Sequence, residues 1–137
     1  MKKVLFLCTG NSARSQIAEG LLRHMAKDKF EVFSAGINPT QLNPLAIEVM
    51  AEIGVDISKQ RSKSIREFLD KNFDYVITLC DNAKQTCPVF PGNYKMIHWN
   101  IEDPAGFSGG LEDKYKLFRR IRDEIKKHII AFLNQET

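Results

Sequence analysis

With 137 residues, 43% of them hydrophobic and 27% charged, the chain is the size of a single domain over 1–137 and has enough apolar residues for a core. Its 20 lysines and arginines against 17 aspartates and glutamates leave a net charge of +3, too little to argue for a nucleic-acid partner but compatible with a small anionic substrate. No apolar run approaches a membrane span and Met1-Lys2-Lys3 leads into a short strand rather than a signal segment, so a cytoplasmic protein without membrane contact is expected, and its three cysteines argue for redox, catalytic or metal roles over structural disulfides.

In chain order, residues 3–7 read as a buried strand that runs into Cys8. Turn residues follow, and from Ser15 a helix carries Ile17, Ala18, Leu21, Leu22 and Met25 on one stripe, ending near Asp28 and Lys29. Phe30 to Ala35 reads as a second strand closed by Gly36. Strand, helix and strand make a βαβ unit with parallel strands. Asn38-Pro39 and Asn43-Pro44 are turn signals. Pro44 opens a helix running to about Ile53, with Gly54 as its C-terminal stop. Asp56 to Ser62 is a polar connection, and Ser64 caps a short helix over Ile65, Phe68 and Leu69.

Phe73 to Leu79 reads as a third strand ending at Cys80. Asp81 to Gln85 is polar and turn-like, and Pro88, Pro91 and Gly92 make the segment after Cys87 irregular. Lys95 to Trp99 is a fourth strand, and residues 100–110 form a loop holding Asp103-Pro104. A last helix spans 111–133. Leu117, Ile121, Ile125, Ile129 and Phe132 form its apolar face, while Arg119, Arg120, Arg122, Lys126 and Lys127 alternate with Asp123 and Glu124 on its solvated face. The alternation predicts an α/β fold, a three-layer sandwich with a four-stranded parallel sheet flanked by helices. Ligands of such sheets bind beyond the carboxyl ends of the strands, where Cys8, Cys80 and Asp103 are all expected.

The chemistry concentrates in Cys8-Thr9-Gly10-Asn11-Ser12-Ala13-Arg14-Ser15. A cysteine on a strand-to-helix loop sits where backbone N–H groups converge and the helix dipole is positive, which favours the nucleophilic thiolate. The same N–H groups form a concave anion site from Thr9 to Ser15, and Arg14 adds a planar fork matching the oxygens of a tetrahedral oxyanion. Ser15 is placed to donate to the Cys8 sulfur. The plainer reading is a buried cysteine ending a core strand, but Gly10, Asn11 and Ser12 have no packing role to support it.

Cys80 and Cys87 are seven residues apart. A zinc site lacks a Cys-x2-Cys pair, and His24, His98 and His128 lie on other elements, so no metal is expected. The redox reading is a transient Cys80–Cys87 disulfide on a segment with almost nothing apolar to hold it rigid. The alternative leaves Cys80 as a small core residue and Cys87 as incidental. Asp103 is either a loop residue making an Asx turn or a carboxyl facing the Cys8 loop, able to protonate a departing oxygen. Trp99 reads as core and His98 as a strand residue with one ring nitrogen satisfied.

Cys8 to Ser15, followed by Gln16-Ile17-Ala18-Glu19-Gly20, together with Ser34-Ala35-Gly36 and Asp103-Pro104, resembles the low-molecular-weight protein tyrosine phosphatase fold. Within that fold, Leu79-Cys80-Asp81 with Thr86-Cys87-Pro88 is similar to the thioredoxin-coupled arsenate reductases. Ala105-Gly106, where phosphatases tend to carry aromatic residues, points the same way. The resemblance implies a relay. Cys8 attacks arsenate held by residues Thr9 to Arg14, Cys80 attacks Cys8 as arsenite departs, Cys87 takes over the disulfide, and thioredoxin or a glutaredoxin-type donor reduces it. Phosphate and sulfate are the expected competing anions, and a monomer needing no cofactor is the default. Some relatives bind potassium near the equivalents of Asn11, Glu19 and Ser34; here Ser62 and Lys63 are the candidates to complete the site, and a lysine there would take the cation's role. Hydrolysis of phosphate monoesters through Cys8, Arg14 and Asp103 is the competing activity, and a non-catalytic anion-binding protein is the third possibility.

Overall fold

The computed structural model describes residues 1–104 and 106–136. Four strands, β1 (Lys2–Cys8), β2 (Phe30–Gly36), β3 (Tyr75–Thr78) and β4 (Lys95–His98), form one sheet in the order β2-β1-β3-β4, and every pairing is parallel. Helices α1 (Arg14–Ala26), α2 (Pro44–Ala51), α3 (Asp81–Thr86) and α4 (Leu111–Glu136) complete a three-layer α/β sandwich. β1 is buried from Val4 to Cys8, as a continuous apolar run in a strand covered on both faces requires.

The chain leaves β1 toward β2 on one side, then crosses to β3 on the other. The crevice beyond β1 and β3 is therefore where the strand order reverses, the usual ligand position in open parallel sheets. Cys8 ends β1 and Cys80 follows β3, so the two cysteines flank that crevice.

Most expected elements are present with shifted ends. Asn43 caps α2, its side-chain oxygen accepting from Leu45 N at 2.8 Å, with Pro44 in the first turn and Gly54 beyond the end at φ +79°. Ser64 caps a single 3-10 turn, Ile65–Phe68. The apolar face of α4 is buried as the spacing predicts.

Two expectations are corrected. Asp81 to Gln85 is not turn-like: it lies within α3, with Ala83 fully buried, so the segment is ordered by a helical turn and one packed methyl. Arg122 is not on a solvated face. It is buried, and its guanidinium reaches back to the Val49 carbonyl at 2.8 Å and to Glu52 at 3.0 Å, joining α4 to α2.

Candidate active site

The loop from Cys8 to Arg14 is held open from behind. The N–H groups of Ile37, Asn38, Thr40 and Asn43 donate to the carbonyls of Cys8, Thr9, Gly10 and Ser12 at 2.8–3.2 Å. The Ser62 hydroxyl donates to the Gly10 and Asn11 carbonyls at 3.0 Å each, and Gln16 Nε2 donates to Asn11 O at 3.0 Å. With the carbonyls engaged outward, the N–H groups of Gly10 to Ala13 have no hydrogen-bond acceptor among the described residues. They form an anion cradle at the start of α1. The close fit explains Gly36: a Cβ there would lie 2.7 Å from Thr9 O and 2.8 Å from Asn11 N.

Asn11 organises the side chains. It sits at φ +49°, a conformation asparagine tolerates better than most residues. Its side-chain Oδ1 accepts from Lys63 N at 2.7 Å and from Gln16 Nε2 at 3.0 Å, which fixes the amide orientation. Its Nδ2 then donates to Ser15 Oγ at 2.8 Å and to Ser34 Oγ at 2.9 Å. Since Ser15 Oγ already accepts from Asn11, its proton is left for Cys8 Sγ, 2.9 Å away. Ser34 donates in turn to Glu19. All of these side chains except Lys63 are fully or nearly fully buried.

Glu19 carries the negative end of this chain, and two cations meet it: Arg23 at 2.7 Å and the Lys63 ammonium at 3.6 Å. Lys63 Nζ also lies 3.4 Å from Ser34 Oγ. Burial pushes the Lys63 pKa below the ordinary lysine range, while Glu19 pulls it back up. Lys63 thus puts a positive group beside Ser34 and Glu19, two of the three residues at which some relatives are expected to hold potassium. Among the described residues no three His, Cys, Asp or Glu side chains cluster as metal ligands.

Arg14 is buried, its Nη1 donating to Ile101 O at 3.1 Å and its Nη2 lying 3.6 Å from Asp103 Oδ2. The loop after β4 is thereby brought to the cradle, and Asp103, with about half of its side chain exposed, stands at the mouth.

Cys80 belongs to the same site. Thr9, next to Cys8, places Oγ1 3.3 Å from Cys80 Sγ. Asn82 Nδ2 donates to Thr9 Oγ1 at 3.3 Å, which leaves the Thr9 proton for the sulfur, and Ala83 N–H reaches the same sulfur at 3.4 Å. Two donors therefore converge on Cys80, which is also the N-cap of α3. Cys87 stands at the opposite end of that helix, half-buried, with its thiol donating to Pro88 O at 3.4 Å. Burial holds its pKa above the ordinary thiol range. All three cysteines are free thiols.

Cys8, Thr9 to Ser15, Asp103 and Cys80 meet at one edge of the sheet, and Cys87 lies one short helix away. Residue types and spacing did not single out Thr9 as the bridge to Cys80, Asn82 as its partner, or Gln16 and Ser62 as the loop's supports. Gln16 entered only through the resemblance and Ser62 only as a candidate to complete a cation site, while Gly36 gave a signal as a glycine closing a strand. Ala105 lies outside the described residues.

The family profile described as low molecular weight phosphotyrosine protein phosphatase matches residues 3–136. The arsenate reductase of Halalkalibacterium halodurans is 47% identical over 131 residues, covering 96% of this chain and 94% of the relative. A solved arsenate reductase in its phosphate-binding state superposes with a TM-score of 0.80 at 33% identity over the whole of both chains. The thioredoxin-dependent arsenate reductase of Corynebacterium glutamicum gives 0.73 at 32% identity, covering 98% of this chain and 60% of the other.

Proposed function

The chain belongs to the low molecular weight phosphotyrosine protein phosphatase family, and within it we propose that it is an arsenate reductase working through a Cys8–Cys80–Cys87 relay re-reduced by thioredoxin. The observation that carries this reading is the placement of Cys80 against Thr9, beside the nucleophile's loop. A phosphatase needs Cys8, Arg14 and a proton donor; it has no use for a second sulfur there.

Arsenate and phosphate present nearly the same tetrahedral oxyanion, so one cradle accepts both. The N–H groups of Gly10 to Ala13 and the Arg14 fork bind the oxygens, and Ser15 stabilises charge on Cys8 through its hydrogen bond. Cys8 sulfur attacks arsenic, and an oxygen leaves as water after protonation, for which Asp103 is the nearby acid. Cys80 sulfur then attacks Cys8 sulfur. The Cys8–arsenic bond breaks with its electron pair staying on arsenic, which departs as arsenite, and the two sulfurs are oxidised to a disulfide. Cys87 attacks Cys80 and releases Cys8 as a thiolate.

That last step requires α3 to come apart. Across the six residues of α3, seven steps of helical rise separate the Cα atoms of residues 80 and 87 by about 10 Å, whereas a disulfide holds Cα atoms roughly 4–7 Å apart. Six residues and one buried alanine make a helix that opens at small cost. Opening also carries the Cys87 sulfur out of its half-buried position, where the thiol form is favoured. The resulting Cys80–Cys87 bond lies on a segment able to reach a donor dithiol. A reducing compartment, the cytoplasm, suits such a relay, and the protein acts as a monomer.

Because Cys8, Arg14 and Asp103 remain in place, slow phosphate-ester hydrolysis is expected alongside reduction. Cys87→Ser separates the two activities. Multiple turnovers with thioredoxin should cease while residual phosphatase activity survives. Sustained arsenate reduction by that variant contradicts the relay.

A further inference from the structure

His98 ends β4, and both nitrogens of its ring are engaged. Nδ1 lies 2.8 Å from the hydroxyl of Thr78, its register partner on β3, which is fully buried. Thr78 Oγ1 has one other neighbour of note, the Ile97 carbonyl, at 3.5 Å. A carboxylate can only accept, so the ring nitrogen that meets Asp81, Nε2, is the one that carries a proton toward it. Nε2 faces Asp81 Oδ1 at 3.3 Å. Asp81 is the first residue of α3, directly after Cys80.

We propose that His98 is a positioning residue of the relay, clasping Asp81 so that α3 stays helical, with Cys87 away from Cys80, until the disulfide is handed on. The inference rests on the reductase reading and adds a component to it. α3 has few fastenings. Apart from the relay sulfur, its first turn is tied to the body through Asn82 to Thr9 and Asp81 to His98. At its other end, among the described residues, the Thr86 hydroxyl bonds only within the helix, to Asn82 O. Thr78 aims the ring from a buried strand, so the clasp is preset rather than formed by a wandering side chain. A contact made by the helical dithiol and loosened in the disulfide favours the dithiol, and its loss shifts the balance toward the disulfide.

The test uses the full chain carrying Cys8→Ser, so that Cys80 and Cys87 form the one possible pair. The dithiol is equilibrated with oxidised dithiothreitol, giving protein disulfide and reduced dithiothreitol, and the fraction oxidised is measured. Amide exchange across residues 83–86 of the dithiol form is followed in parallel. His98→Leu and Asp81→Ala should each shift the equilibrium toward the disulfide and speed exchange by about two- to fivefold, the range for one partly exposed polar pair. The double variant should go no further than the stronger single, and His98→Gln, which keeps an N–H donor, should return most of the effect. Asp81 is exposed, so Asp81→Ala keeps the test open if the histidine variants fold poorly. Unchanged exchange and equilibrium in Asp81→Ala, or additive effects in the double variant, would overturn the clasp. A parent that forms no Cys80–Cys87 bond at all would sink the relay and the clasp together.

Discussion

Ser15 shows how single atoms set the chemistry. Its hydroxyl accepts from Asn11, so it has one proton to give and one place to give it, the Cys8 sulfur. Ser15→Ala removes that donor and leaves an Asn11 N–H without its partner. A hydrogen bond to a charged group contributes about 1.5–3 kcal/mol, so kcat/KM for arsenate should fall about ten- to hundredfold. A steady-state comparison checks this, and an unchanged value would remove Ser15 from the mechanism. Cys8, Arg14 and Ser15 were legible because they share one short stretch of sequence, and a loop between an apolar strand and a helix start has few other uses. Thr9 was read as one cradle residue among several. Its contact with Cys80 depends on β1 lying beside β3, a pairing no local pattern encodes.

At the scale of elements, β2 and α3 make opposite demands. β2 must end against the loop without touching it, and only a residue lacking Cβ fits between Thr9 O and Asn11 N. Gly36→Ala should cost about 1–3 kcal/mol of stability through overpacking and weaken phosphate binding, both measurable by thermal unfolding with and without phosphate. A variant as stable as the parent, with unchanged phosphate binding, would contradict the fit. α3, by contrast, has to let go. It escaped notice in the sequence because six residues are too few to show a helical period and its cap is a cysteine rather than Ser, Thr, Asp or Asn. Asp81 in its first turn and Lys84 in its last suit the helix dipole, but two charges alone do not distinguish a helix from a polar turn. Arg122 was misread for a related reason: helical spacing says which way a Cα faces, but a long side chain can reach the neighbouring helix.

Across the whole molecule, α2 and α4 are joined by polar contacts away from the site. Hydrogen bonds from Arg119, then Arg122, hold the Glu52 carboxyl at about 2, below its ordinary 4.5. A depressed carboxyl contributes stability above its unfolded value and loses it as pH falls through the folded one. The melting temperature of Glu52→Gln should therefore lie below the parent's by a constant amount above about pH 5, and the gap should close between pH 4.5 and 2. A gap that does not vary with pH would mean that charge is not its source. The layered architecture was legible from alternating apolar runs alone, and the strand order placed Cys8 and Cys80 on either side of one crevice.

The relay itself is tested most directly by mass spectrometry of the reduced protein's thiols after one equivalent of arsenate, without thioredoxin. A single Cys80–Cys87 disulfide with Cys8 returned to the thiol is the predicted product, and with Cys87→Ser a Cys8–Cys80 bond should accumulate. Arsenite released with Cys80 and Cys87 still unoxidised would contradict the account.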